Sequence, residues 1–205
     1  MDRLGQLLDT ASPLLRRVDA LLRAGGAPPG HGVWVQLRRV RLLPGDTARA
    51  VAALRPADLG DAGPELRADA RACAEVAASL PPPGEWSGTA AEAYDRARQR
   101  TAERLSGNES SLGGRLEASA ELAEALADWM RTTRDGLAEV LAEIVGSAEA
   151  IILAGDKVDI TSPGEMLAAA DVAEKILEAV ADSYDEAVDL VRSSSNLAEP
   201  FAAIP

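Results

Sequence analysis

At 205 residues the chain is long enough for one ordinary domain with a substantial apolar core, and its formal net charge of −12 is unevenly spread. Residues 1–100 balance at +2 and residues 101–205 at −14. An acidic second half repels nucleic acid and anionic lipid alike, so neither is an expected partner.

The opening residues Leu4, Leu7, Leu8, Ala11, Leu14, Leu15, Val18, Leu21 and Leu22 share one helical face for about five turns. Ser12-Pro13 interrupts that run, as a kink or as the cap of a fresh helix, and Gly25-Gly26 with Pro28-Pro29 ends it. From Gly30 to Leu43 the pattern is double: Val33, Val35 and Leu37 alternate like a strand, whereas Trp34, Leu37 and Arg41 suit a helix. With no second strand to pair with, the segment reads as a helix or an extended linker. Arg38, Arg39 and Arg41 read as a solvated or ion-paired face.

Pro44-Gly45-Asp46 opens a short helix that Arg55-Pro56 should end, and Pro64 suits the start of another. Leu66, Ala70, Cys73, Ala77 and Leu80 form its stripe. Cys73 is the only cysteine, which excludes an intramolecular disulfide and a thiolate metal cluster, and on this stripe it reads as a small packed hydrophobe.

Pro81-Pro82-Pro83-Gly84 cannot continue that helix. Thr89 with Glu92 three residues on has the form of a capping box for the next one. Trp86 lies between, and its expected place is against the side of the hairpin, where truncation to Ala would cost about 3–5 kcal/mol. Ala90, Tyr94, Ala97, Thr101 and Leu105 continue one face of the second helix.

From Leu105 a heptad register places Leu112, Ser119, Leu126, Thr133, Val140 and Ser147 at one position and Leu116, Ala123, Met130, Leu137, Ile144 and Ile151 at the other. Gly107, Asn108, Gly113 and Gly114 are its weak point, but the phase survives them, which favours one continuous helix of about 70 Å. Ile151, Ile152, Leu153, Val158 and Ile160 then crowd into an apolar turn. Ser162-Pro163-Gly164-Glu165 is a second capping box, opening a last helix to about Arg192, with Ser193 to Pro205 a frayed tail.

Together these elements predict an all-α, elongated helical bundle built on a long helix-turn-helix hairpin with additional N- and C-terminal helices. Its expected parts are an N-terminal helix and linker over 1–43, a hairpin and bundle over 44–193, and a tail over 194–205. The start Met1-Asp2-Arg3-Leu4 lacks a charged region followed by an apolar core, so no Sec-type signal peptide is expected. No window reaches the roughly 18 apolar residues of a membrane span.

Chemistry-bearing constellations are missing from the sequence. His31 is the only histidine, so neither a Ser-His-Asp nor a Cys-His arrangement nor a multi-histidine metal site is expected. Lys157 and Lys175 are the only lysines and neither follows a phosphate-binding glycine loop. The many carboxylates of the last helices read as a solvated face. No catalytic residue, cofactor or metal ligand is therefore assigned.

Trp86-Ser87-Gly88 followed by Ala90-Ala91 and Tyr94, between two amphipathic helices, resembles the WXG-motif family of actinobacterial type VII (ESX) secretion substrates. The longer PPE and EspB-like members, with additional helices, are the more similar. The resemblance spans roughly Pro64 to Ile151 and implies a hairpin that pairs with another helical hairpin, from a different chain or its own copy. Within it, Trp86, Gly88 and Tyr94 would form the turn and recognition motif, met by a secretion chaperone or the export ATPase. The chaperone site of the longer relatives lies at the far helical tip, making Ile151, Ile152, Leu153, Val158 and Ile160 the candidate surface. The family's export signal sets an acid four residues after a tyrosine, whereas Arg98 follows Tyr94 and Val188 follows Tyr184 at that distance. That departure leaves the signal to a partner or marks a relative that is not exported. The expected function is thus non-enzymatic protein–protein association, with the chain secreted without a cleavable signal peptide or retained in the cytoplasm; the alternative is a cytoplasmic helical scaffold unconnected with secretion.

Overall fold

The computed structural model describes residues 2–155 and 162–198, and among them every regular element is a helix. The protein is an all-α helical bundle. Helix α1 spans Arg3–Gly25 without a break at Pro13. It starts where the Asp2 carboxylate accepts the Gly5 N–H at 2.8 Å, and stops at Gly26, whose φ of 75° a side chain would oppose. The double-patterned segment resolves as helix α2, Val33–Val40, with Val33 and Gln36 buried. The alternation of Val33, Val35 and Leu37 carries no strand, since Val35 is exposed and Leu37 is half-buried against the core that includes Val33.

Helix α3, Pro44–Ala52, ends before Arg55-Pro56. A 3-10 turn at Pro56–Leu59 leads to α4, Ala62–Ser79, which begins two residues ahead of Pro64. Helix α5 spans Thr89–Ser106, α6 Leu112–Val145, α7 Ala148–Ile152 and α8 Pro163–Ser193. A further 3-10 turn, Ser195–Ala198, follows α8 where a frayed tail was expected.

The expected continuous helix from Leu105 to Ile151 is interrupted twice. Between α5 and α6 the Asn108 side chain accepts the Ser110 N–H at 2.9 Å, and the Ser111 hydroxyl accepts the Gly114 N–H at 3.1 Å as an N-cap. The glycines are part of this turn: a Cβ on Gly113 would lie 3.0 Å from the Leu105 carbonyl oxygen and one on Gly114 2.4 Å from that of Asn108. At the other end Ser147 caps α7, its hydroxyl accepting the Ala150 N–H at 3.2 Å. Helix α6 has 34 residues and a length of about 50 Å.

The chain forms two compact units. The first comprises Met1–Arg55 and Trp129–Val188, the second Pro56–Asp128 and Asp189–Pro205, so the boundaries fall inside α6 and α8. The first unit holds a core of bulky side chains, among them Leu15, Leu21, Leu137, Leu141, Ile144, Ile176 and Leu177, each at most 1% exposed. The seam of the heptad register is met here by Thr133, Leu137 and Ile144, joined by Ala138 and Leu141, which it did not include.

In the second unit the buried apolar side chains among the described residues are Ala70, Ala91, Ala120 and Ala127. The stripe of α4 is placed as expected, with Ala70 buried and Leu66, Cys73, Ala77 and Leu80 half-buried. The inner face of α5 is displaced by one residue. Ala91, Asp95, Arg98, Ala102 and Leu105 turn inward, while Ala90, Tyr94, Ala97 and Thr101 face out. Arg98 pairs with Asp95 at 2.8 Å, which lets two charges occupy the half-buried side.

Candidate functional site

The turn between α4 and α5 is built by its backbone. Gly84 has a φ of 65° and Gly88 one of 92°, both closed to most side chains. The Trp86 N–H reaches the Pro83 carbonyl at 3.4 Å, and the Tyr94 hydroxyl donates to the Pro81 carbonyl at 3.0 Å, tying the second turn of α5 to the chain just past α4. Gly88, not Thr89, takes the capping position, and no side chain caps the helix there. The capping box expected from Thr89 and Glu92 is absent because Thr89 is itself the first helical residue.

Trp86 is 65% exposed. The expectation that it packs against the side of the hairpin fails, since its ring meets only Tyr94 among aromatic partners, at 5.6 Å between centroids and tilted by 57°. Trp86, Gly88 and Tyr94 are brought together at one end of the hairpin, with the two rings outward.

The apolar turn after α6 divides. Ile151 is 76% and Ile152 49% exposed, whereas Leu153 is buried in the first unit's core. Val158 and Ile160 lie outside the described residues. Nearby, the buried Arg17 donates to the Gly155 carbonyl and pairs with Glu165 at 2.7 Å. At the second capping box the Ser162 hydroxyl accepts the Glu165 N–H at 3.4 Å, and Arg17 engages the Glu165 carboxylate. Sequence reasoning gave no sign of Arg17, whose partner lies 148 residues away.

A third cluster also escaped the sequence. His31, in the loop before α2, sets Nε2 3.1 Å from Asp171 Oδ1 and Nδ1 3.4 Å from Glu174 Oε2. The two carboxylates, three residues apart, share one face of α8, a spacing visible in the sequence; the histidine 140 residues away was not. Arg39, from the basic cluster on α2, pairs with Asp182 at 3.1 Å and Asp185 at 2.7 Å, as an ion-paired face. No helix among the described residues is long and apolar enough to cross a membrane.

Comparison with protein-family models, with curated proteins and with solved structures gives no match to this chain.

Proposed function

We propose that the chain is a non-enzymatic interaction protein whose α4–α5 hairpin pairs with a second helical hairpin, from another chain or its own copy. We further propose that it acts as a WXG-like type VII secretion substrate or as the partner of one. One observation carries the reading: among the described residues the buried apolar side chains of the second unit are all alanines, while its turn holds Trp86 and Tyr94 outward. Alanine burial contributes little, at about 25 cal/mol per Å² of apolar surface, so this unit gains most from apolar surface supplied by a partner. An exposed tryptophan on a hydrogen-bonded turn is the residue type that anchors such contacts.

The distribution of the protein between cells and medium, with and without the export ATPase of the native host, tests the secretion reading. The expected result is ATPase-dependent appearance in the medium that Trp86→Ala abolishes. Retention in the cytoplasm of every strain would overturn the secretion reading and favour a helical scaffold.

A further inference from the structure

We propose that the chain self-associates through α2: the outward ridge of Trp34, Val35, Arg38 and Arg41 docks in the acid-rimmed groove between α6 and α8 of a second copy. Both surfaces belong to the first unit, so the contact is distinct from the hairpin and independent of the function proposed for it.

The ridge has the residues and the rigidity of a binding anchor. Trp34 and Val35 are 38% and 49% exposed, and Arg38, four and three residues on, shares their side of α2. The indole is fixed in place. Its Nε1 donates to the Pro28 carbonyl at 3.1 Å, and it lies beside Gly26, where a Cβ would come 3.4 Å from the ring. A ring already held loses little freedom on docking. Arg41 ends α2 at φ 60° and ψ 20°, the one residue other than glycine with a positive φ among the described residues. Glycine would hold that turn without strain, and the arginine instead sets a cation at the end of the ridge.

Charge names the partner. Arg39 pairs with Asp182 and Asp185 of its own chain, whereas the Arg38 and Arg41 guanidiniums meet no acid among the described residues. Two unpaired cations beside exposed apolar side chains select an acidic, apolar counterpart. The groove between α6 and α8 is one, with a volume of about 430 Å³ and an apolar floor at Gly136, Val140 and Ala179. A Cβ on Gly136 would meet nothing within 4 Å, which leaves that floor open. Glu139, Glu143 and Glu186 also line the groove; Glu143 pairs with Lys175, but Glu139 and Glu186 have no basic partner among the described residues. Arg39 holds α2 against its own α8 while Trp34 and Arg38 stay exposed, so the groove they fill is that of another copy. A two-fold axis makes the contact twice, each copy giving its ridge and receiving its partner's.

Analytical ultracentrifugation of the full chain over a concentration series tests the contact. The wild-type chain is expected to pass from monomer to dimer as concentration rises, and to dissociate with added salt. Arg38→Glu with Arg41→Glu sets acids against the acidic groove, and Glu139→Arg with Glu186→Arg sets arginines against the basic ridge. Each double variant should dimerise about tenfold more weakly or worse. All four side chains are exposed, so circular dichroism and melting temperature should match the wild type. Mixed in equal amounts, the two double variants should form a heterodimer, since both contacts then again join opposite charges. Trp86→Ala should leave the dimer intact. A chain that stays monomeric at every concentration would overturn the proposal and leave the groove to a different basic partner. Dimers that the charge variants do not weaken, or variants that mixing does not rescue, would overturn it as well. So would loss of the dimer in Trp86→Ala alone, which would assign self-association to the hairpin.

Discussion

Asp19 is a residue of α1 that caps α3. Leu43, at the capping position of α3, has no side-chain acceptor, and the buried Gly45 N–H is served instead by Asp19 Oδ1 at 3.0 Å. Burial raises the Asp19 carboxyl above its ordinary range, against the smaller opposing effects of the Gly45 N–H and Arg23. A raised native pKa means that the folded state holds the proton longer than the unfolded chain. Its contribution to stability is therefore full below the ordinary aspartate pKa and is lost as pH rises through the native value. Asp19→Asn keeps the acceptor and should remove that pH dependence. Asp19→Ala orphans a buried N–H and should cost about 1–3 kcal/mol in thermal denaturation. Equal stability of the two variants would mean the cap contributes nothing.

Glu124 has the opposite sign. The Arg67 guanidinium engages both of its oxygens, with Nη2 to Oε2 at 2.8 Å, and its hydrogen bonds hold the carboxyl below the usual glutamate range. The stabilising contribution is present above the unfolded pKa and is lost as pH falls through the lowered native one. An NMR titration should show a depressed Glu124 midpoint that Arg67→Gln returns to the ordinary value; the same midpoint in both proteins would show that the pair does not form in solution. At this scale little was legible in the sequence. Asp19 finds its partner 26 residues away and Arg67 57 residues away, and no local pattern encodes such contacts.

At the scale of the element, chain punctuation was readable wherever the chemistry was local. The prolines after Leu80 end α4, Ser162 opens α8, and the leucine face of α1 is the buried one. Errors arose where apolar letters outnumbered the information they carried. Ala90 and Ala91 fit either face of α5, so composition could not place the inward side, and the Asp95–Arg98 pair hid it further. The heptad register likewise ran through Asn108, Ser111 and Ser147, whose side chains cap rather than continue the helices.

The turn motif was found, but its tryptophan was assigned the wrong environment. With Trp86 exposed, Trp86→Ala should cost no more than about 1 kcal/mol, chiefly the contact with Tyr94. Gly88→Ala forces a side chain into a region reserved for glycine, at φ 92° and ψ −174°, and should cost about 1–3 kcal/mol. Chemical denaturation of both variants measures the order. A larger loss for the Trp86 variant would return the ring to a structural role.

At the scale of the molecule, stability is unequally shared. The bulky core belongs to the first unit, drawn from α1, α2, α3 and the parts of α6 and α8 that lie in it. The all-α class followed from composition, yet this inequality did not, because half-buried Leu66, Leu80 and Leu105 have the same letters as a buried core. Valine and aromatic surface remains outward on the hairpin at Val76, Trp86 and Tyr94. A unit cored by alanine opens more readily than one cored by leucine and isoleucine. That difference underlies the claim that the hairpin is completed by a partner.

Amide hydrogen exchange on the isolated full-length chain measures the difference most directly, comparing α4 and α5 with residues 168–181 of α8. The amides of both hairpin helices are expected to exchange markedly faster than those of α8, and to slow when a second hairpin binds. Protection of α4 and α5 equal to that of α8 in the isolated chain would contradict the account, because the hairpin would then need no partner to complete it.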